Sequence, residues 1–417
     1  MARTRLTREV RILLITQFFD PEPTFKGLLF ARELTRRGHD VQVITGFPNY
    51  PGGRVYPGYR VRPLQRESRD GVEVLRVPLY PSHDRSAIRR VANYASFALS
   101  ATVLGMLLTR RPDVVYVYHP PATIGLAAMA QRFLRGVPVV YDIQDLWPDT
   151  LRATGMVDNP IVLRAVDVWC RAVYRAASRL VVLSPGFKTR LVERGVPAER
   201  IDVIYNWCDE AGMAPAPPDK QLAVQLGLDA RSFIVLFAGT MGLAQGLDVV
   251  IDAATRLAEP MPHVNFVLIG GGLDRARLVV RVAEAGLRNV HFVEPRPMHA
   301  MGPVLALADA LLVHLRDDPL FHITIPSKTQ AYLAAGKPVL MGVSGDARSL
   351  VEDAGAGLGF TPEDGAALAA AVIDLATRSA SERAAMGAAG AAFYQNRLSL
   401  AVGTDAFERT FASAVAA

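Results

Sequence analysis

Residues 325–339 read IPSKTQAYLAAGKPV. Pro326 and Ser327 precede Lys328, good helix formers follow, Gly336 stops them, and Pro338 opens an apolar run. The order is loop, helix start, helix, helix stop, strand. A lysine at a helix N-terminus opposes the positive end of the helix dipole. An anionic ligand at that helix end would remove the conflict. The stretch therefore raises two questions, whether helix and strand alternate elsewhere and what the lysine faces.

The alternation extends in both directions. Apolar runs at 233–239, 265–271, 290–295, 310–316, 338–343 and 357–361 read as buried strands with helices between them. An earlier array has runs at 10–16, 41–45, 72–80, 114–119, 137–143, 179–184 and 201–206, with helical stretches at 27–38, 87–108, 123–135 and 161–177. Continuous Val/Ile/Leu strands alternating with helices indicate doubly wound parallel sheets. The stretch 208–220, CDEAGMAPAPPDK, is the best linker. The expected fold class is α/β, with two Rossmann-like doubly wound domains facing a central cleft. The expected boundaries are 1–207, 208–395 and a final helix, 396–417, crossing back to the first domain.

Composition sets outer limits. The chain has 417 residues, half of them apolar, and a formal net charge of +6. Such a length exceeds one typical core, which favours two domains. Two cysteines, Cys170 and Cys208, exclude a disulfide framework. No zinc spacing, nucleophile elbow, P-loop or basic–aromatic interleaving is present, so nucleic acid is not an expected partner. The basic start, MARTRLTREV, is followed by VRILLIT, too short for a signal-peptide core and read as a strand. A cytoplasmic protein is expected.

One segment complicates that picture. Residues 91–108 carry no charge, with Arg85, Arg89 and Arg90 before them and Arg110 and Arg111 after. The run reaches the lower limit for a spanning helix. Asn93, Ser96, Ser100 and Thr102 make it only mildly apolar. A buried helix is the first reading of 85–111, a helix touching the inner face of the cell membrane the second, and a span the third.

Ligands of open parallel sheets sit beyond the carboxyl ends of the strands, and that rule selects candidates. Lys26 and Gly27 follow the first strand, and Gly27 reads either as an anion contact or as a plain helix entry. His119 ends the 114–119 strand. Asp142, Asp145 and Trp147 cluster after the 137–143 strand, where carboxylates bond sugar hydroxyls and an indole packs on a ring face. The bland reading makes them a cap and core filling. In the second half, Gly242 lies in a glycine-containing loop, Gly271 in a tight turn, and Glu294 and Arg296 beside prolines. Ser327 and Lys328 at a helix N-terminus suit a diphosphate.

Together these stretches resemble the retaining glycosyltransferases of family 4, which have the GT-B fold. The carrying residues are PEPTFKG, FARELTRRGHDVQVIT, VVYVYHPP, YDIQDLWPDT, VVLSPGFKTRLVERGVPAERIDVIYN, FAGTMGLAQGLD, LIGGG and IPSKTQAYLAAGKPV. The chain is most similar to a bacterial subgroup associated with N-acetyl-fucosamine transfer in O-antigen and capsule assembly. The resemblance implies a nucleotide-sugar donor, UDP-linked by expectation, in the C-terminal domain, and in the N-terminal one a saccharide or lipid-linked acceptor of cell-surface polysaccharide or a natural-product acceptor. It implies that Gly27, Gly242, Ser327 and Lys328 meet the donor diphosphate. His119 and Lys328 are the implied catalytic residues. Lys26, Asp142, Asp145 and Trp147 are assigned to the donor sugar or acceptor, and Gly271, Glu294 and Arg296 to base and ribose. No metal and no cofactor beyond the donor is expected. Two family glutamates are missing, their places being Ile323 and Ala331, and Gln245 stands where many members carry a lysine. Those losses keep two alternatives open: a UDP-sugar epimerase of the same fold, and a non-catalytic binding protein on this scaffold.

Overall fold

A computed structural model describes residues 9–24, 26–82, 87–213 and 216–416. Arg85 and residues 214–215 of the expected linker fall outside the described residues, as do 1–8 of the basic N-terminus. The chain forms two compact units, Met1–Tyr205 with Gly403–Ala417, and Asn206–Val402.

The first unit runs β1 (Arg11–Thr16), α1 (Leu28–Arg36), β2 (Asp40–Gly46), β3 (Gln65–Arg69), β4 (Val72–Val77), α2 (Ala87–Leu108), β5 (Val114–His119), α3 (Gly125–Arg135) and β6 (Val139–Ile143). It continues through α4 (Asp149–Ala153), α5 (Pro160–Ala176), β7 (Arg179–Val182), α6 (Pro185–Glu193) and β8 (Ile201–Val203). The sheet order is β3-β4-β2-β1-β5-β6-β7-β8. Every ladder is parallel except β3–β4, which is antiparallel. Strands β5 and β6 are buried throughout, as parallel strands covered on both faces must be. β3 is the strand that hydrophobic patterning misses. Its sequence, QRESR, alternates half-buried and exposed residues, and charge pairs such as Arg76–Glu67 and Arg66–Glu73 hold it at the sheet edge.

The second unit runs α7 (Lys220–Gln225), β9 (Phe233–Ala238), α8 (Asp248–Leu257), β10 (Val264–Ile269), α9 (Arg275–Glu284), β11 (Val290–Val293), α10 (Met301–Ala306), β12 (Ala310–His314) and α11 (Pro319–His322). It is completed by α12 (Ser327–Ala334), β13 (Val339–Gly342), α13 (Asp346–Asp353), β14 (Gly357–Gly359), α14 (Gly365–Thr377) and α15 (Ala380–Arg397). Its six-stranded parallel sheet has the order β11-β10-β9-β12-β13-β14. The strand order reverses direction between β9 and β12, the switch point where doubly wound sheets place ligands. Helix α16 (Leu400–Ala416) contributes most of its length to the first unit. There Phe407 and Phe411 pack against Tyr116, and Phe407 also against Phe30, with ring centroids 5.0–5.9 Å apart. Glu408 bonds Arg37 and His39. Cys170 and Cys208 are both buried and free.

Candidate active site

Helix α12 lies across the end of β9. The Tyr332 hydroxyl accepts from the Ala238 N–H at 2.8 Å and also reaches the Ala238 carbonyl at 3.3 Å. One turn earlier, Lys328 projects on the same side of the helix. Its ammonium sits 3.6 Å from the Phe237 ring centroid. Gly239, at φ 141, leaves room for it: a Cβ there would be 3.1 Å from Lys328 Nζ. The C-terminal end of α12 is equally constrained. A Cβ at Gly387 of α15 would approach the Gly336 carbonyl oxygen to 2.0 Å.

Burial alone pushes Lys328 down to about 7, and no carboxylate opposes the shift. The ring contact offsets part of the conflict with the helix dipole, since a cation over an aromatic face contributes roughly 0.5–2 kcal/mol. Among the described residues no ion pair to Lys328 is formed. The side chain is half-buried and Ser327 beside it is exposed. A desolvated lysine with a hydroxyl neighbour at a helix N-terminus is suited to neutralise a phosphate.

His314 closes the switch point from β12. Its Nδ1 bonds the Gln245 carbonyl at 2.7 Å, and its Nε2 accepts the Glu363 N–H at 2.9 Å. The two bonds define a neutral tautomer, and burial pushes the imidazole pKa down. Gln245, at the place of the family lysine, folds back: its Oε1 accepts the Gly242 N–H at 2.9 Å. Gly242 therefore has that amide in use inside its own loop. Ile323 ends α11 and Ala331 lies within α12. The nearby carboxylates are Asp317, bonded to His322, and Glu363, which accepts the Asp317 N–H.

The base and ribose candidates are less well set. The Gly271 carbonyl accepts the Met241 N–H at 2.7 Å. Glu294 is mostly exposed and already pairs with Arg275 at 2.6 Å. Arg296 pairs with Asp219 at 3.6 Å. Both side chains are thus engaged by neighbours of their own unit.

In the first unit three expectations need correction. Lys26 and Asp142, expected at a sugar, have no exposed side-chain surface and pair with each other at 2.6 Å. The Tyr116 hydroxyl and the Gln144 amide also donate to Asp142, and Phe407 covers the Lys26 ammonium at 4.9 Å. Burial pushes Lys26 below the ordinary lysine range while Asp142 opposes the shift. These two residues tie the β1–α1 loop to β6. Gly27 is the third. The Leu28 N–H donates to the Asp20 carboxylate at 2.7 Å, so an anion already caps α1. A Cβ at Gly27 would meet Thr24 at 2.3 Å and Asp20 at 2.5 Å, so the glycine serves this internal cap.

His119 and Trp147 do come together. His119 is buried, burial pushes it down to about 3, and its Nδ1 has no hydrogen-bond partner among the described residues. The Trp147 ring meets it edge-on at 5.8 Å. Asp145 is half-buried, and burial pushes its carboxyl up to about 6. Tyr50 and Tyr94 lie within electrostatic reach of it. Glu22 accepts from the Phe19, Asn49 and Tyr50 amides and so sets the Tyr50 loop. The rule for strand ends could have found Tyr50, four residues past β2. His314, the last residue of β12, carries the same strand-end signal as His119, whereas Tyr94, Glu22 and Tyr332 carry none comparable.

Comparison with known proteins fits this geometry. Residues 28–207 match the glycosyl transferase 4-like domain, and 219–393 match glycosyl transferases group 1. The chain is 30% identical over 340 residues to the "Putative colanic acid biosynthesis glycosyl transferase WcaI" of Escherichia coli, covering 78% of this chain and 82% of that one. It is also 30% identical over 189 residues to the alpha-galactosylglucosyldiacylglycerol synthase of Streptococcus pneumoniae, covering 43% of this chain and 48% of that one. Among solved structures, Anabaena HepE in complex with UDP and glucose superposes with a TM-score of 0.69 at 19% identity, covering 97% of this chain and all of that one. With two parallel Rossmann-like sheets and both family domains in sequence, the chain belongs to the group 1 glycosyltransferases of GT-B fold and is a glycosyltransferase.

Proposed function

We propose that this glycosyltransferase moves a sugar from a UDP-linked donor, with retention, to a saccharide or lipid-linked acceptor in cell-surface polysaccharide assembly, at the inner face of the cell membrane. The observation that carries the donor half is Lys328, a desolvated cation with no counter-ion among the described residues, at the switch point of the second unit. The nature of the relatives supports the acceptor half, WcaI being named for colanic acid biosynthesis and HepE having been solved with UDP. An N-acetylated 6-deoxyhexose is the first donor sugar to screen.

In the proposed reaction the bond between the anomeric carbon and the diphosphate oxygen breaks. The acceptor oxygen bonds to that carbon on the same face, and its proton passes to the departing phosphate. Lys328 and the α12 amides would stabilise the developing diphosphate charge, often the largest catalytic contribution. No protein nucleophile and no metal ion is required by this route. Asp145 and Trp147, beside His119, are proposed to position the acceptor. The test is the anomeric configuration of the product from an α-linked UDP-sugar, followed by NMR. An α-linked product supports the proposal, and a β-linked product contradicts it.

A further inference from the structure

Among the described residues α2 is the one helix long and apolar enough to cross a membrane, and only 28% of its Ile88–Leu108 window is buried. Its inner side is fixed to the first unit. Asn93, Phe97, Ala98 and Ala101 are buried. Asn93 accepts from Gln17 at 2.5 Å and donates to the Tyr80 carbonyl at 2.7 Å. The Ser100 hydroxyl donates to the Pro78 carbonyl. A helix docked in this way is a structural layer of its unit. Its outer side is a different surface. Ile88, Val91, Leu99, Val103 and Leu107 are each more than half exposed. They extend over about 28 Å at the helical rise. Helix α3 packs beside α2 and ends in Phe133 and Leu134, also more than half exposed. A contiguous apolar face of this size on a protein surface marks an interaction site.

Charge selects the partner. From residue 87 to 141 the chain has six arginines, no lysine and a single acid, Asp113, which is bonded to Arg11. Arg89 and Arg90 stand at one end of α2, and the other is followed by Arg110, which pairs with Asp40 and Glu73, and by the exposed Arg111. Arg132 and Arg135 lie in the last turn of α3, and Arg135 bonds Thr109 at 2.9 Å. Pairing this face with a second copy would set arginine-flanked ends against one another in either helix direction, and the acids beside it, Asp40, Glu73 and Asp113, are already paired with Arg110 and Arg11. Anionic lipid headgroups supply the missing charge, and their acyl boundary accepts the apolar side chains.

We propose that the outer face of α2, continued by the tip of α3, lies flat on an anionic lipid surface. The proposal deepens the lipid-linked acceptor reading and rests on that reading for its purpose. Tyr94 of α2 is within electrostatic reach of Asp145 and Tyr50, so the docked helix borders the proposed acceptor position.

The test is flotation of the full chain with phosphatidylcholine vesicles, with or without one third phosphatidylglycerol, in about 0.1 M salt. The protein should float with the anionic vesicles, at least tenfold less with the neutral ones, and be released by about 0.5 M salt. Leu99→Glu with Val103→Glu should reduce binding at least tenfold. Arg111→Glu with Arg132→Glu should do so independently, at about fivefold or more for each charge removed. Both pairs are at the surface and should melt as the parent does. UDP titration of the same variants should be unchanged, which keeps this test separate from the donor reading. No flotation, equal flotation with both vesicles, or unchanged flotation of the variants would overturn the proposal. So would a dimer in light scattering that the glutamates dissociate, which would assign the face to a second copy.

Discussion

Lys328 shows how a single side chain connects packing to chemistry. Its pKa of about 7 lies below the ordinary 10.5, so the folded chain releases this proton first. Between those values the unfolded chain binds more protons, and stability rises with pH. Below about pH 7 the full cost of the buried charge is present. On the proposed reading, a bound diphosphate would reverse that preference by favouring the ammonium. Nucleotide affinity should therefore weaken as pH rises above 7, with proton uptake on binding. Calorimetry at pH 8 in two buffers of different ionisation enthalpy should show the uptake, and identical heats would contradict it. Lys26 is the opposite case. Beside a glycine after a strand, it reads as a ligand contact until its partner Asp142, 116 residues away, is seen. Separation of that kind is invisible to local pattern. Lys26→Met should leave Asp142 buried without its cation and destabilise the fold by about 3–5 kcal/mol. Chemical denaturation would measure this, and a loss below about 1 kcal/mol would make the pair dispensable.

At the scale of elements, the strands legible in the sequence are the buried ones. β5, VVYVYH, has an uninterrupted apolar pattern because both faces are covered. β3 escapes notice because an edge strand of alternating charge gives no hydrophobic period. The 85–111 segment reads first as a buried helix, yet α2 buries only one side, and composition alone does not say which side of an apolar helix is covered. Helix α12 is legible from its start and stop residues, and Gly336, at φ 67, ends it as its position in the sequence implies. How α12 is held is not legible, because Tyr332 and Ala238 are 94 residues apart. Helix α16 offers the sharpest stability test. Phe407 is fully buried against Phe30, Tyr116 and Phe411. Phe407→Ala should destabilise the protein by about 3–5 kcal/mol. Thermal or urea unfolding checks the value, and a change under about 1 kcal/mol would mean that α16 is only loosely attached.

For the whole molecule, the α/β class and the parallel sheets are legible because strand–helix alternation is a property of every part of the chain. The site is legible only in part. Position beyond a strand end selects His119 and Trp147, whose rings meet edge-on, and also admits Lys26, Asp142 and Gly27, which the fold uses internally. The missing glutamates at 323 and 331 leave donor recognition resting on few groups, and Gln245 turns inward to its own loop. On the proposed reading, phosphate neutralisation rests mainly on Lys328. The most direct measurement is calorimetric titration with UDP of the parent protein and of Lys328→Ala. Micromolar binding by the parent, weakened on the order of tenfold or more by the substitution, is the expected result. Equal affinity in the two proteins would contradict the role given to Lys328.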